Sequence, residues 1–306
     1  MASLFSKINP KETLVGTIVL LAVALVLHFM PWSVMIIACF ATLPGIILWY
    51  RSIHSFGLAT LITILLSTLT GDLFVMTFMI ILLALSAVIA QLLKQRASKE
   101  HILYVATLVT SIITIGAIMI LQGLKQLPYA QVLLEPYQKI VNQMIEMQNL
   151  DQQAREVLNN SVHQLAVQLP AMIVVTIAIY LIITLMIIFP ILRKFKIATP
   201  VFRPLYLWQM KRSLFIIYAI ALLVSVTTEP ATTINSIGIN FQIVLGFLLV
   251  IQGLSFIHYF TTIKRMPVAV SVIFIVLGII FYPMTRLIGL LDLGLNLKSM
   301  IKNDKR

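Results

Sequence analysis

Apolar runs about as long as a bilayer is thick alternate with short polar breaks along nearly the whole chain. A membrane-spanning helix needs about 20 mostly apolar residues. Runs at 13–30, 32–50, 73–93, 102–122, 169–191, 213–228 and 237–260 each predict a span. The stretch 56–93 is too long for one span. Gly71-Asp72 divides it, and Asp72 is placed to cap the following helix, which leaves a short span at 56–70. A last apolar segment begins at Pro267 and meets Pro283. It predicts either a ninth span or, preferred here, a half-span that turns at Pro283 and returns.

The pattern changes between residues 124 and 167, where no run is long enough to span. Tyr137, Ile140, Val141, Met144 and Ile145 follow helical spacing, and Leu150, Ala154, Val157, Leu158 and Leu165 form a second stripe. Two amphipathic helices are expected, lying on the membrane or capping the bundle. The predicted fold is therefore all-α. It is a polytopic membrane bundle of eight to nine spans, divided into a five-helix region (1–123), an external helical insert (124–167) and a C-terminal membrane region (168–306) that carries a basic loop at 193–212.

Composition supports the class. Of 306 residues, 60% are hydrophobic and 10% charged, against roughly 45–50% and 25% in soluble domains. The net charge of +12 does not point to nucleic acid, because the cations flank apolar runs. They act as orientation signals and as contacts for anionic lipid. One set of alternate loops holds Lys7, Lys11, Arg51, Lys94, Arg96, Lys99, Arg193, Lys194, Lys196, Arg203, Lys211, Arg212, Lys264 and Arg265; the opposite set is poor in them. That asymmetry predicts a cell-membrane protein with a cytoplasmic N-terminus and an external 124–167 segment. Lys7 and Lys11 before a hydrophobic run also resemble a signal peptide, but no small-x-small cleavage site follows, so an uncleaved first span is expected. The tail residues Lys298, Lys302, Lys305 and Arg306 fit a cytoplasmic end if the last segment turns back. Cys39 is the single cysteine, which excludes an internal disulfide or a cysteine metal site.

Ionisable groups at membrane depth are costly and mark candidate sites. Asp72 and Glu229 fall at helix ends, where capping or solvation explains them. His258 follows Gln252 by six residues in the eighth span. Arg286 and Asp292 lie in the last segment, also six apart, so on a straight helix they point about 120° away from each other; either both face water at an interface, or they bridge to groups such as Gln252 and His258. Pro283 is expected to free backbone carbonyls for Arg286. Arg193, Lys194 and Lys196 form a candidate docking surface. No Walker A, GxGxxG, HExxH or nucleophile-elbow motif is present, so neither catalysis nor a cofactor nor a metal is expected.

Three motifs carry a resemblance. Leu290-Leu291-Asp292-Leu293-Gly294, Phe202-Arg203-Pro204-Leu205-Tyr206-Leu207-Trp208 and Gln252-Gly253-Leu254-Ser255 resemble the YybS family, predicted membrane proteins of Gram-positive bacteria with a domain of unknown function. Leu43-Pro44-Gly45, Arg51, Phe56-Gly57 and Gly71-Asp72 are faintly similar to substrate-binding subunits of energy-coupling-factor transporters, and more loosely to MreD. The transporter likeness implies a small-residue face, such as Ser86 and Ala90, for docking a coupling partner. The function expected from these features is a non-catalytic membrane component that binds a small or amphiphilic ligand and relies on a separate ATPase module for any powered transport. The alternative is a scaffold or regulatory subunit of an envelope or signalling complex. The YybS likeness implies a membrane phosphodiesterase for cyclic di-AMP as a candidate partner.

Overall fold

The computed structural model describes residues 9–69, 71–128, 130–148, 151–229 and 232–303. Lys7, Thr70, Leu150, Lys305 and Arg306 therefore lie outside the described residues. The helices are α1 (Pro10–Phe29), α2 (Val34–Arg51), α3 (Ile53–Leu69), α4 (Leu73–Lys94), α5 (Lys99–Gly123), α6 (Ala130–Met147), α7 (Gln152–Lys194), α8 (Ser213–Thr227), α9 (Thr233–Ile263), α10 (Val268–Ile280), α11 (Tyr282–Leu295) and α12 (Leu297–Asn303). No strand occurs among the described residues.

Every predicted apolar run is helical. Five helices, α1, α4, α5, α7 and α9, are long and apolar enough to cross a membrane, and a sixth is obtained if the bent pair α10–α11 is one span. Ile36–Arg51, Ile53–Leu69 and Ser213–Thr227 are apolar but shorter; at about 1.5 Å per residue they fall short of a ~30 Å hydrocarbon layer.

Four helices stop in the same way. Arg96, Lys125, Lys196 and Arg265 adopt positive φ, and the next amide in each case reaches back five residues, as in Ala97 N–H to the Leu92 carbonyl (3.0 Å) and Ile197 N–H to the Leu192 carbonyl (3.1 Å). This geometry usually takes glycine. A cation here suits the negative end of the helix dipole.

Two elements differ from expectation. The stripe after Asp151 is not a separate amphipathic helix: it forms the first turns of α7, which runs 43 residues to Lys194. Pro170, inside this helix, is bridged. Asn240 on α9 accepts from the Ala171 N–H (2.9 Å) and donates to the Val167 carbonyl (2.8 Å). One side-chain amide thereby supplies both ends of a ladder bond disturbed by the proline ring. The last segment bends by 104°, but at Phe281 rather than Pro283. Pro283 lies in the first turn of α11, where its missing N–H costs nothing.

The chain forms two compact units. The first comprises 1–127 and 176–202. Its core joins Ile46, Leu85, Ile89, Leu93, Leu181, Leu185 and Phe189, with a second cluster around Leu20, Leu27, Ala59, Met79 and Leu83. Ser86 and Ala90 are fully buried. A Cβ at Gly45 would lie 2.7 Å from the Ser86 Cβ, and Ser86 Oγ lies 3.2 Å from the Thr42 carbonyl. The small-residue face expected to dock a partner is thus spent on packing α4 against α2. Cys39 is buried.

The second unit comprises 128–175 and 203–306. Here α8, α10 and α11 all pack on α9. Ser271 of α10 meets Thr261 through their hydroxyls (2.8 Å), and Gly278 faces Leu254 and Ile257, so α10 runs back along α9. Beyond the bend α11 crosses α9, and α12 begins beside Ser255 and Tyr259. The segment thus returns toward the end of α9 that carries Lys264 and Arg265.

Candidate functional site

Two faces of α11 organise the polar chemistry of the second unit. The first face carries Asp292, fully buried. Its Oδ2 accepts from Gln252 Nε2 at 2.5 Å, and its Oδ1 accepts from the Lys298 backbone N–H at 3.0 Å. Gln252 is saturated, with Nε2 also 3.2 Å from Gln209 Oε1 and Oε1 accepting from the Met210 N–H at 2.9 Å. The Lys298 ammonium donates to the Trp208 carbonyl (2.7 Å) and to Ser255 Oγ (2.8 Å). Ser255 Oγ is 2.7 Å from each of the Leu205 and Trp208 carbonyls. Burial pushes the Lys298 ammonium below its ordinary pKa, and Asp292 opposes that shift. The three motifs that carried the YybS resemblance meet in this one network. Each polar group has its acceptors or donors, as a buried network requires, so this face is a clamp with no capacity left for a ligand.

The second face carries Arg286, turned away from Asp292 as helical spacing demands. The carbonyl freed at the bend, Gly278 O, is taken by the Thr285 hydroxyl at 2.7 Å; Arg286 does not use it. The Arg286 stem instead passes Gly246, where a Cβ would lie 3.4 Å from the Arg286 Cδ. Arg286 lines a cleft of about 310 Å³ with Gln164, Gln168, Ser225, Ile239, Gln242 and Ile243. Among the described residues no carboxylate pairs with it, and it is the one charged group in the lining. Ser225 Oγ lies 3.0 Å from Gln242 Oε1, which leaves the Gln242 NH₂ as the open end of that amide. Asn240, which repairs α7 at Pro170, holds Gln164 and Gln168 in register with α9. An amide in a long apolar helix has no pattern that singles it out, and the sequence did not mark Asn240, Gln164, Gln168 or Gln242.

The remaining candidates are dispersed. Asp72 caps α4 by accepting from the Phe74 and Val75 amides at 2.9 and 3.3 Å. It also pairs with His28 Nδ1 at 3.2 Å, linking α1 to α4. Glu229 is exposed in the α8–α9 connection. His258 packs edge-on to Tyr206 with ring centroids 5.3 Å apart, and its Nδ1 is buried with no hydrogen-bond partner among the described residues. It joins neither Gln252 nor Arg286. Arg193, Lys194 and Lys196 are exposed around an exposed Phe195. Among the described residues no cluster of three or more His, Cys, Asp or Glu side chains could hold a metal.

A family model described as a predicted membrane protein, DUF2232, matches residues 17–293. The chain is 32% identical over 137 residues to the uncharacterized protein YybS of Bacillus subtilis (strain 168). That alignment covers 44% of each protein, so the chain spans under half the length of this relative. No solved structure matches.

Proposed function

The chain belongs to the DUF2232 family of predicted membrane proteins, and on that premise we propose that it is a non-catalytic membrane component that binds a small or amphiphilic ligand. The observation that carries this reading is the Arg286 cleft, a polar recess of about 310 Å³ built by α7, α8, α9 and α11 around a guanidinium with no counter-ion among the described residues. A volume of this order matches small-ligand sites, and an intramembrane cation is expected to have a partner. Without a nucleotide-binding motif, powered transport by this protein requires a separate ATPase module. The experiment is affinity purification from native membranes, followed by solvent extraction and mass spectrometry. A small molecule or lipid should be enriched with the wild type and lost from Ser225→Trp, which fills the cleft. Identical extracts from the two proteins sink the ligand-binding reading.

Eight apolar helices crossing the cell membrane, with α10–α11 as a re-entrant pair, is the topology we propose. The N-terminus is cytoplasmic and α6 external. The shorter helices α2, α3 and α8 cross by local thinning of the bilayer or by using flanking residues. Single cysteines at Gln148 and Lys196 should be labelled by an impermeant maleimide from opposite sides. Labelling of both from one side contradicts the topology.

A second reading, as a scaffold or regulatory subunit, is favoured by the exposed Arg193, Lys194, Phe195 and Lys196. That surface suits an acidic partner, with a cyclic di-AMP phosphodiesterase as one candidate, or anionic lipid. In the same purification, a protein that disappears when all three cations are neutralised, with the extracted ligand unchanged, assigns the partner to this surface.

A further inference from the structure

We propose that the Arg286 cleft binds the oxyanion head of a membrane lipid, a phosphate or carboxylate, with its apolar chain leaving past Ile239 and Ile243. This rests on the ligand-binding reading above and specifies its ligand.

The chemistry of the lining comes first. Arg286 offers a planar fork of N–H donors matched to two oxygens of one oxyanion. Gln164, Gln168 and Gln242 bring amide groups, while the single proton of the Ser225 hydroxyl is already directed to the Leu222 carbonyl or to Gln242 Oε1. No carboxylate lines the cleft, so the site carries one positive charge and donors to spare. A cationic or neutral ligand would leave that charge unmatched in a low-dielectric setting, which is costly.

Depth decides the source. With 31 residues, α9 is about 46 Å long, roughly 16 Å more than the ~30 Å hydrocarbon layer. Centred on the bilayer, α9 meets the edge of that layer about 8 Å from its start at Thr233, near Gly238. Ile239, Gln242 and Ile243 therefore lie within the first turns beneath the head groups. An anion free in water would have to shed its hydration to reach this level. A lipid head group sits directly above this level, and its chain needs an apolar exit. Exposed apolar side chains flank the lining residues on the same helices: Leu222 and Val226 near Ser225 on α8, Phe241 beside Gln242 on α9 and Leu287 beside Arg286 on α11.

The test titrates the purified full chain in neutral detergent with phosphatidylglycerol, phosphatidylcholine or sodium phosphate, reading bound lipid by native mass spectrometry and melting by intrinsic fluorescence. Phosphatidylglycerol should bind and raise the melting temperature. Arg286→Gln should weaken that binding roughly tenfold or more, and Arg286→Lys, which keeps charge but loses the fork, should retain part of it. If Arg286→Gln does not fold, Gln164→Leu with Gln168→Leu removes two donors and should weaken binding several-fold. Equal binding of phosphatidylglycerol to wild type and variants overturns the proposal. Equal binding of phosphatidylcholine overturns the anion specificity but leaves the ligand-binding reading standing. Sodium phosphate competing at the lipid's own concentration assigns the cleft to a water-soluble anion, overturning the lipid source. If no probe binds and native extraction yields no enriched molecule, both readings fail.

Discussion

Replacing Gly289 by valine is expected to destabilise the second unit by about 3 kcal/mol or more, at the upper end for an overpacked core. A Cβ at Gly289 would sit on the Leu249 carbonyl oxygen and 2.9 Å from the Gly253 amide nitrogen, and a Cβ at Gly253 would meet the Thr285 carbonyl in the same way. These obstacles are backbone atoms and cannot rotate aside. The two glycines set the approach of α11 to α9, as small residues do where membrane helices cross closely. Because α11 carries Asp292 on one face and Arg286 on another, parting the helices would open the clamp and deform the cleft together. Gly116 is the control: nothing lies within 4 Å of its Cβ position, so Gly116→Ala should be neutral or stabilising by about 0.5–1 kcal/mol through helix propensity. Thermal unfolding in detergent reads both. A Gly289→Val protein that melts with the wild type would show that the helices do not cross this closely.

Removing the Asp292 carboxylate is expected to cost about 3 kcal/mol or more in Asp292→Ala, because Gln252 Nε2 and the Lys298 N–H lose a charged acceptor inside the fold. Asp292→Asn keeps the shape and one acceptor and should cost less, about 1–2 kcal/mol. The network also reaches into α12: Lys298 ties it to Trp208 and Ser255 and gives its N–H to Asp292. A chain ending after Lys298 should melt close to the wild type, whereas one ending after Leu297 should lose several degrees. Equal melting of the two truncations would remove Lys298 from the network.

The membrane class, the all-helical fold and the position of each apolar helix were legible in the sequence, because the bilayer imposes a length and a polarity that single residues report. Asp72 was legible as a cap for the same reason: capping depends on residues two and three further along the chain. The angle between Arg286 and Asp292 was legible as well, since helical pitch alone determines it. Partnership was legible only as alternatives or not at all. Gln252 was one of two groups the sequence offered to Arg286 and Asp292, and it meets Asp292 forty residues away, whereas Asn240 mends the ladder at Pro170 some seventy residues away, and Gln164, Gln168, Ser225 and Gln242 converge on Arg286 from three other helices, with no signal in the sequence. Pro283 marked a turn in the sequence, yet the chain bends at Phe281, because proline is tolerated in the first turn of the helix that follows. Ser86 and Ala90 suggested a surface for another protein, and packing consumed it within the first unit. Hydropathy and helical pitch act along the chain and can be read there. Which faces meet depends on close packing between distant segments, and only the tertiary structure decided that one face of α11 would be sealed and another left open with a charge in it.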